Sequence, residues 1–215
     1  MLVIFDCDGV LVDSENLAAQ VFSRCLREIN IDISSQDCLR YFKGHTLDYC
    51  FTWLRERGVQ LPENFADKLV LATKEKFATS LRAVSGVEKI IKELQERGIL
   101  FCVASNGGHQ KIQHSLVVCG LLKYFSHARF SSEDVFRGKP APDLFLHAAR
   151  EMGVAPALTT VIEDSLTGVQ AALEAGMQTL LYQDQCGFSP PSVPIGVTTF
   201  KRMDDLRHLL FIDEA

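Results

Sequence analysis

Apolar positions along the chain fall into two patterns, short unbroken runs and longer stretches with helical spacing. Met1 to Phe5 (MLVIF), Ile99 to Ala104 (ILFCVA), Thr159 to Ile162 and Gln178 to Tyr182 (QTLLY) each stop abruptly at polar residues. Runs of this kind read as strands buried on both faces of a parallel sheet. Helical spacing marks Gly86 to Glu96, Lys111 to Cys119, Asp143 to Met152 and Thr167 to Ala175. These are followed by Gly98, Gly120, Gly153 and Gly176, the residue type that favours a helix C-terminus.

Strands alternating with helices of this length require right-handed crossovers, so the pattern predicts an α/β fold built on a doubly wound parallel sheet. The alternation is broken once. After the first strand, Glu15 to Glu28, Ser35 to Tyr41, Thr46 to Arg57 and Asn64 to Thr79 all read as helices. An all-helical cap over 15–83 is therefore expected, inserted into a core formed by 1–14 and 84–215, with short hinges near Ser14 and Ala83. Phe51, Trp53 and Leu54 read as the interior of that cap, because aromatic residues dominate small helical cores.

Composition narrows the function classes. The 215 residues are 47% hydrophobic and 23% charged, an ordinary globular balance that excludes a disordered or collagen-like chain. A net charge of −5 without blocks of like charge lacks the basic footprint of a nucleic-acid binder. No run reaches the length of a membrane span, and the first residues lack a signal peptide's basic start and apolar core. The seven cysteines show no C-x-x-C pairing and read as small apolar fillers in a reduced compartment. The six histidines show no metal-ligand spacing, and Gly187 to Gly196 reads as an irregular surface loop. The expectation is a cytoplasmic monomer that binds neither membrane nor nucleic acid.

Ligands of open α/β sheets gather at the carboxyl ends of the strands, and the polar residues fall there. Asp6 and Asp8 follow the first strand, Ser105, Asn106 and Gly107 the next, and Glu163 and Asp164 a later one, while Lys139 lies in the loop Arg137-Gly138-Lys139-Pro140. Four carboxylates at one sheet edge raise one another's pKa unless a cation is present, and oxygen ligands suit Mg²⁺. Asp6 is placed to act as a nucleophile and Asp8 as a general acid/base. Ser105 and the N–H groups after it can hold phosphoryl oxygens, and Lys139 can offset charge. Each signal has a plainer reading: Asp-x-Asp as a solvated turn, Ser-Asn-Gly-Gly and Glu-Asp-Ser as helix caps, Lys139 as a surface lysine. Their shared placement at strand ends favours the chemistry.

Together these motifs resemble the haloacid dehalogenase superfamily over nearly the whole chain. Asp6-Cys7-Asp8-Gly9-Val10-Leu11-Val12-Asp13-Ser14 matches its first motif, Ser105-Asn106 the second, Lys139-Pro140 the third and Glu163-Asp164-Ser165-Leu166-Thr167-Gly168 the fourth. The resemblance implies a Rossmann-like core with a helical cap. It also implies Asp6 as nucleophile and metal ligand, Asp8 as acid/base and as ligand through its backbone carbonyl, and Asp164 as a further ligand with Glu163 beside it.

Asp8 and Asp164 argue against the metal-free dehalogenases of that superfamily. The run D-G-V-L-V-D-S and the cap resemble the branch of small-molecule phosphatases and β-phosphoglucomutase. The mutase pattern carries a histidine and an arginine where this chain has Ala18 and Leu47, so a phosphatase is favoured over a hexose phosphomutase. Phe42-Lys43-Gly44-His45 is the candidate substrate loop of the cap, with Lys43 suited to an anionic or polyhydroxylated ligand or, in the plainer reading, solvated at a helix end. With Ser105-Asn106-Gly107 and Lys111-x-Gln113-His114-Ser115, this loop resembles the phosphatases of that branch that act on 6-phosphogluconate. Packing explains Lys111, Gln113 and His114 as readily. The expectation is a Mg²⁺-dependent phosphatase of a small phosphorylated sugar or sugar acid, working through an aspartyl-phosphate; a phosphate-binding protein without turnover is the alternative outside catalysis.

Overall fold

The computed structural model describes residues 1–183 and 193–211. β1 (Leu2–Phe5) is wholly buried because alternate side chains enter different cores: Leu2 and Ile4 face one cluster, Val3 and Phe5 the other. That two-sided burial is why its sequence reads as an unbroken apolar run. β1 pairs in parallel with β2 (Leu100–Ser105) on one side and β4 (Thr159–Glu163) on the other. β3 (Arg129–Ser131), β5 (Gln178–Tyr182) and β6 (Thr198–Phe200) extend the sheet, giving the parallel order β3-β2-β1-β4-β5-β6. The α/β class and doubly wound sheet are as the sequence predicts.

Between β1 and β2 run α1 (Glu15–Arg27), α2 (Ser35–Phe42), α3 (Leu47–Arg55), α4 (Phe65–Ser80) and α5 (Val87–Glu96). α6 (His109–Val118) follows β2, α7 (Asp143–Glu151) precedes β4, α8 (Leu166–Glu174) follows it, and α9 (Leu206–Leu210) comes after β6. One sheet face is covered by α5, α6 and α9 through residues such as Ile90, Ile112 and Leu206. The other is covered by α7 and α8 through Leu144, Phe145 and Ala172. The four glycines expected to end helices all adopt left-handed φ.

α1 to α4 build a third apolar cluster of their own. Phe22 is its hub, its ring lying 5.1 Å from Phe42, 6.4 Å from Phe51 and 6.2 Å from Phe65. Trp53 is half-buried at the rim, stacked on Tyr41 at 4.8 Å and covered by the Arg57 guanidinium at 3.6 Å. Two of its contacts with the sheet lie where the chain enters and leaves it. The chain segments entering and leaving it pair with each other: Val12 bridges Ala83, and Asp13 N–H donates to Arg82 O at 2.9 Å. The C-terminal end of α4 sends Phe77 into the core below α5 and α6.

Among the described residues no helix is long and apolar enough to cross a membrane. The six cysteines there are free, and Cys186 and most of the 187–196 stretch lie outside the described residues.

Candidate active site

The turn after β1 is a tight loop closed by its own backbone: Gly9 N–H donates to Val12 O at 2.8 Å, and the N–H groups of Leu11 and Val12 donate to Cys7 O. Gly9 has φ +77, and a Cβ there would collide with the Asp164 carboxylate. Glycine therefore lets the first turn press against the turn after β4, which brings Asp6, Asp8, Glu163 and Asp164 to one spot at the carboxyl edge of the sheet.

Lys139 is the centre of the cluster. Its side chain is 2% exposed, and its Nζ donates to Asp6 Oδ1 at 2.5 Å and to Glu163 Oε1 at 2.6 Å. Burial opposes its charge, but the two carboxylates outweigh that and hold the ammonium firmly protonated. Glu163 Oε2 accepts from the N–H groups of Asp164 and Ser165 and from Ser165 Oγ, so this side chain fixes the turn after β4 as well as Lys139. Ser165 also caps α8 by accepting from Gly168 N–H at 3.0 Å, so the capping reading of Glu-Asp-Ser holds while Glu163 lies against Lys139.

Asp8 is held differently. Its Oδ1 accepts from Ser14 Oγ at 2.6 Å and its Oδ2 from Lys111 Nζ at 2.7 Å. Burial pushes its carboxyl up, yet Lys111 and Ser14 together pull it below the usual range. Asp6, by contrast, is raised well above that range, because burial and the neighbouring Glu163, Asp164 and Asp8 outweigh Lys139. Burial also lifts Asp164 and Glu15 to about 7 each, against the opposing pull of Lys43.

The loop between α2 and α3 closes the site from above. Lys43 Nζ lies 2.6 Å from Asp164 Oδ2. Gly44 has φ +76 and sits so near Ser165 that a Cβ would come within 2.6 Å of its Oγ. His45 is stacked on Tyr49 at 3.8 Å with its Nε2 3.4 Å from Thr167 Oγ1. Below it, Ser105 Oγ accepts from Gly107 N–H at 3.1 Å, which leaves the hydroxyl proton to be donated to a ligand. A cleft of about 300 Å³ opens here, lined by Gly9, Glu15, Asn16, Leu39, Lys43 and Asp164.

The donor set fits a hard divalent cation. Asp6, Glu163 and Asp164 are buried, and each offers a carboxylate oxygen within 4.8 Å of the others. The carboxylates of Asp6, Asp8, Glu15, Glu163 and Asp164 outnumber the ammonium groups of Lys43, Lys111 and Lys139 that face them. Burial is the main cause of the upward displacement of Asp6, Asp164 and Glu15, and the neighbouring carboxylates add to it.

The structure brings most of the residues singled out from the sequence to one place: Asp6, Lys139, Glu163 and Asp164 form the centre, Asp8 lies beside it on Ser14 and Lys111, Ser105, Asn106 and Gly107 lie below, and Lys43 and Gly44 above. Two participants were not resolved by sequence reasoning. Lys111 reaches Asp8, and Glu15 lines the cleft. A lysine in the first turn of α6 opposes the helix dipole, and that mismatch is a legible sign that it answers a carboxylate elsewhere. Glu15 in the first turn of α1 suits the dipole and gives no such sign. Gln113 and His114 show no bond into the cluster; His114 Nε2 instead lies 3.2 Å from Lys74 O on α4.

The sequence profile of the haloacid dehalogenase-like hydrolases matches residues 3–182. The chain belongs to this family. The 6-phosphogluconate phosphatase of Escherichia coli is a relative, 32% identical over 209 residues, covering 96% of this chain and 93% of that protein. A haloacid dehalogenase-like protein of unknown function from Agrobacterium tumefaciens superposes with a TM-score of 0.80 at 32% identity, over 97% of this chain and 96% of that one. A hydrolase of the same family from Deinococcus radiodurans, solved with bound phosphate and sodium, gives a TM-score of 0.78 at 29% identity, over 97% and 94%.

Proposed function

We propose that this hydrolase is a phosphatase that releases phosphate from a small phosphorylated sugar or sugar acid through an aspartyl-phosphate on Asp6. The observation that carries the reading is the buried Asp6–Lys139–Glu163 triad beside Asp164, a nucleophile and a charge-neutralising ammonium fixed at one sheet edge. Asp6 attacks phosphorus, the ester oxygen leaves with a proton from Asp8, and the acyl phosphate on Asp6 results. Water then attacks phosphorus, Asp8 takes its proton, and phosphate departs with Asp6 restored. Lys139 neutralises charge gathered on Asp6 and the transferring group, while Ser105 Oγ and the N–H groups of the Asn106-Gly107 turn hold phosphoryl oxygens.

Mg²⁺ is the expected cofactor, and Asp6, Asp164 and the backbone carbonyl of Asp8 would hold it; Glu163, whose Oε2 accepts three hydrogen bonds and whose Oε1 accepts from the Lys139 ammonium, would stand beside it. When bound it neutralises negative charge between the nucleophile and the phosphoryl group. Lys111 and Ser14 hold Asp8 in its base form, so protonating the leaving oxygen requires Lys111 to move off Oδ2.

We take 15–83 as a cap that closes on a core of 1–14 and 84–215, excluding bulk water during the chemistry. Lys43 and Gly44 would then meet the substrate's non-phosphate end, and the sugar-acid assignment is supported by the relative that acts on 6-phosphogluconate. Ala18 and Leu47 carry no polar group, which disfavours a mutase.

Phosphate release with Mg²⁺ over 6-phosphogluconate, hexose phosphates, phosphoglycolate and nucleotides tests the reading, with Asp6→Asn as the blank. Release concentrated on a sugar phosphate or sugar acid is expected. No release from any ester, or conversion of glucose 1-phosphate to glucose 6-phosphate instead, would overturn it.

A further inference from the structure

The Asn106 side chain is already spoken for within the protein. Its Oδ1 accepts from Lys139 N–H at 2.8 Å, and its Nδ2 donates to Lys139 O and to Gly44 O, each at 3.0 Å. Only one orientation of the carboxamide satisfies all three partners, since two are carbonyl acceptors and one is a donor, so the amide is assigned by its network. Both amide protons are consumed and none remains to bind a phosphoryl oxygen.

The three partners belong to different parts of the molecule. Lys139 lies in the loop before α7, Gly44 in the loop between α2 and α3, and Asn106 itself just after β2. Both approaching loops are glycine at the contact. A Cβ on Gly138 would come within 2.5 Å of Asn106 Oδ1, and one on Gly44 would strike Ser165. The backbone of Asn106 is anchored independently, its carbonyl accepting from Ser132 Oγ at 2.9 Å.

We infer that Asn106 is a closure latch, a positioning residue whose carboxamide ties the cap loop at Gly44 to the loop that delivers Lys139 to Asp6. Closing the cap and seating the lysine are thereby one event, so the charge on Lys139 is committed only when the site is covered. The inference rests on the phosphatase reading for its consequence in catalysis, but the latch itself is a structural claim.

Hydrogen exchange of the full-length protein with Mg²⁺ and inorganic phosphate reads the latch without turnover. In Asn106→Ala, segments 42–46 and 137–139 should both exchange faster than in the wild type, while β1 and β4 keep their protection and report an intact core. Asn106→Asp is nearly isosteric, still accepts from Lys139 N–H and cannot donate to Gly44 O; it should free 42–46 while keeping the Lys139 amide protected. In steady state, Asn106→Ala should lower kcat by up to about a hundredfold through misplacement of Lys139, with KM little changed. Wild-type protection of 42–46 in either variant would overturn the latch. So would a raised KM with kcat intact, the signature of a direct substrate contact. If the wild type releases phosphate from no ester, the phosphatase reading fails while the exchange result still decides the latch.

Discussion

Asp6 and Asp8 are two residues apart and carry opposite perturbations, so in the proposed mechanism Asp6 must give up the proton its surroundings favour before it attacks, and Asp8 must gain one before it protonates the leaving oxygen. Burial among other carboxylates raises Asp6, whereas Lys111 and Ser14 lower Asp8. Removing Lys111 takes away the strongest group pulling Asp8 down, so Lys111→Met should move the limb of the kcat/KM profile governed by Asp8 to higher pH. An unshifted profile would show that Lys111 does not tune the acid/base. Asp6, Asp8, Asp164 and Lys139 were legible in the sequence because each follows a strand or lies in the loop before a helix at the same sheet edge. The partner of Lys111 was not, because a lysine that opposes the helix dipole signals a carboxylate without saying which one, and Asp8 lies some hundred residues away. The side-chain role of Asn106 was hidden too. Its partners are backbone atoms of two distant loops, and backbone atoms leave no trace in residue identity.

Elements were legible where they are long enough to set a pattern. β1, β4 and β5 show as apolar runs because both of their faces are covered, and α1 to α4 show through helical spacing. β3 and β6 were missed: each has three residues, and β6 begins with the exposed Thr198 and Thr199. Edge strands this short carry too few side chains to set a pattern. The layer formed by α1 to α4 is held by its aromatic hub, so Phe22→Ala should destabilise the protein by about 3–5 kcal/mol, the usual cost of emptying a buried aromatic site. Urea unfolding followed by circular dichroism measures this. A loss below ~1 kcal/mol would mean that Phe42, Phe51 and Phe65 close the gap, and that the cluster does not depend on its centre.

At the scale of the whole molecule, the buried carboxylates tie stability to pH, and the proposed cation would tie it to metal. A carboxyl whose pKa is raised on folding, from 3.8 to about 7 for Asp164 and from 4.5 to about 7 for Glu15, makes the folded state less stable as pH climbs through that window. The metal-free protein should therefore lose stability between about pH 4 and 7 on account of these groups, and added Mg²⁺ should restore it. Thermal melts with and without Mg²⁺ should show a larger rise in Tm at pH 8 than at pH 5. A rise that is equal at both, or larger at the lower pH, would remove the cation from this cluster. EDTA should likewise stop turnover and Mg²⁺ should restore it.

The proposed covalent step on Asp6 connects the roles given to Lys139, Asp8 and the cation. The most direct measurement is an acid quench during turnover of a reactive phosphate ester, followed by peptide mass spectrometry. A phosphoryl group on the peptide that carries Asp6, absent in Asp6→Asn, is the result the mechanism requires. Continued phosphate release by Asp6→Asn at the wild-type rate, or a phosphoryl group trapped on another residue, would contradict it.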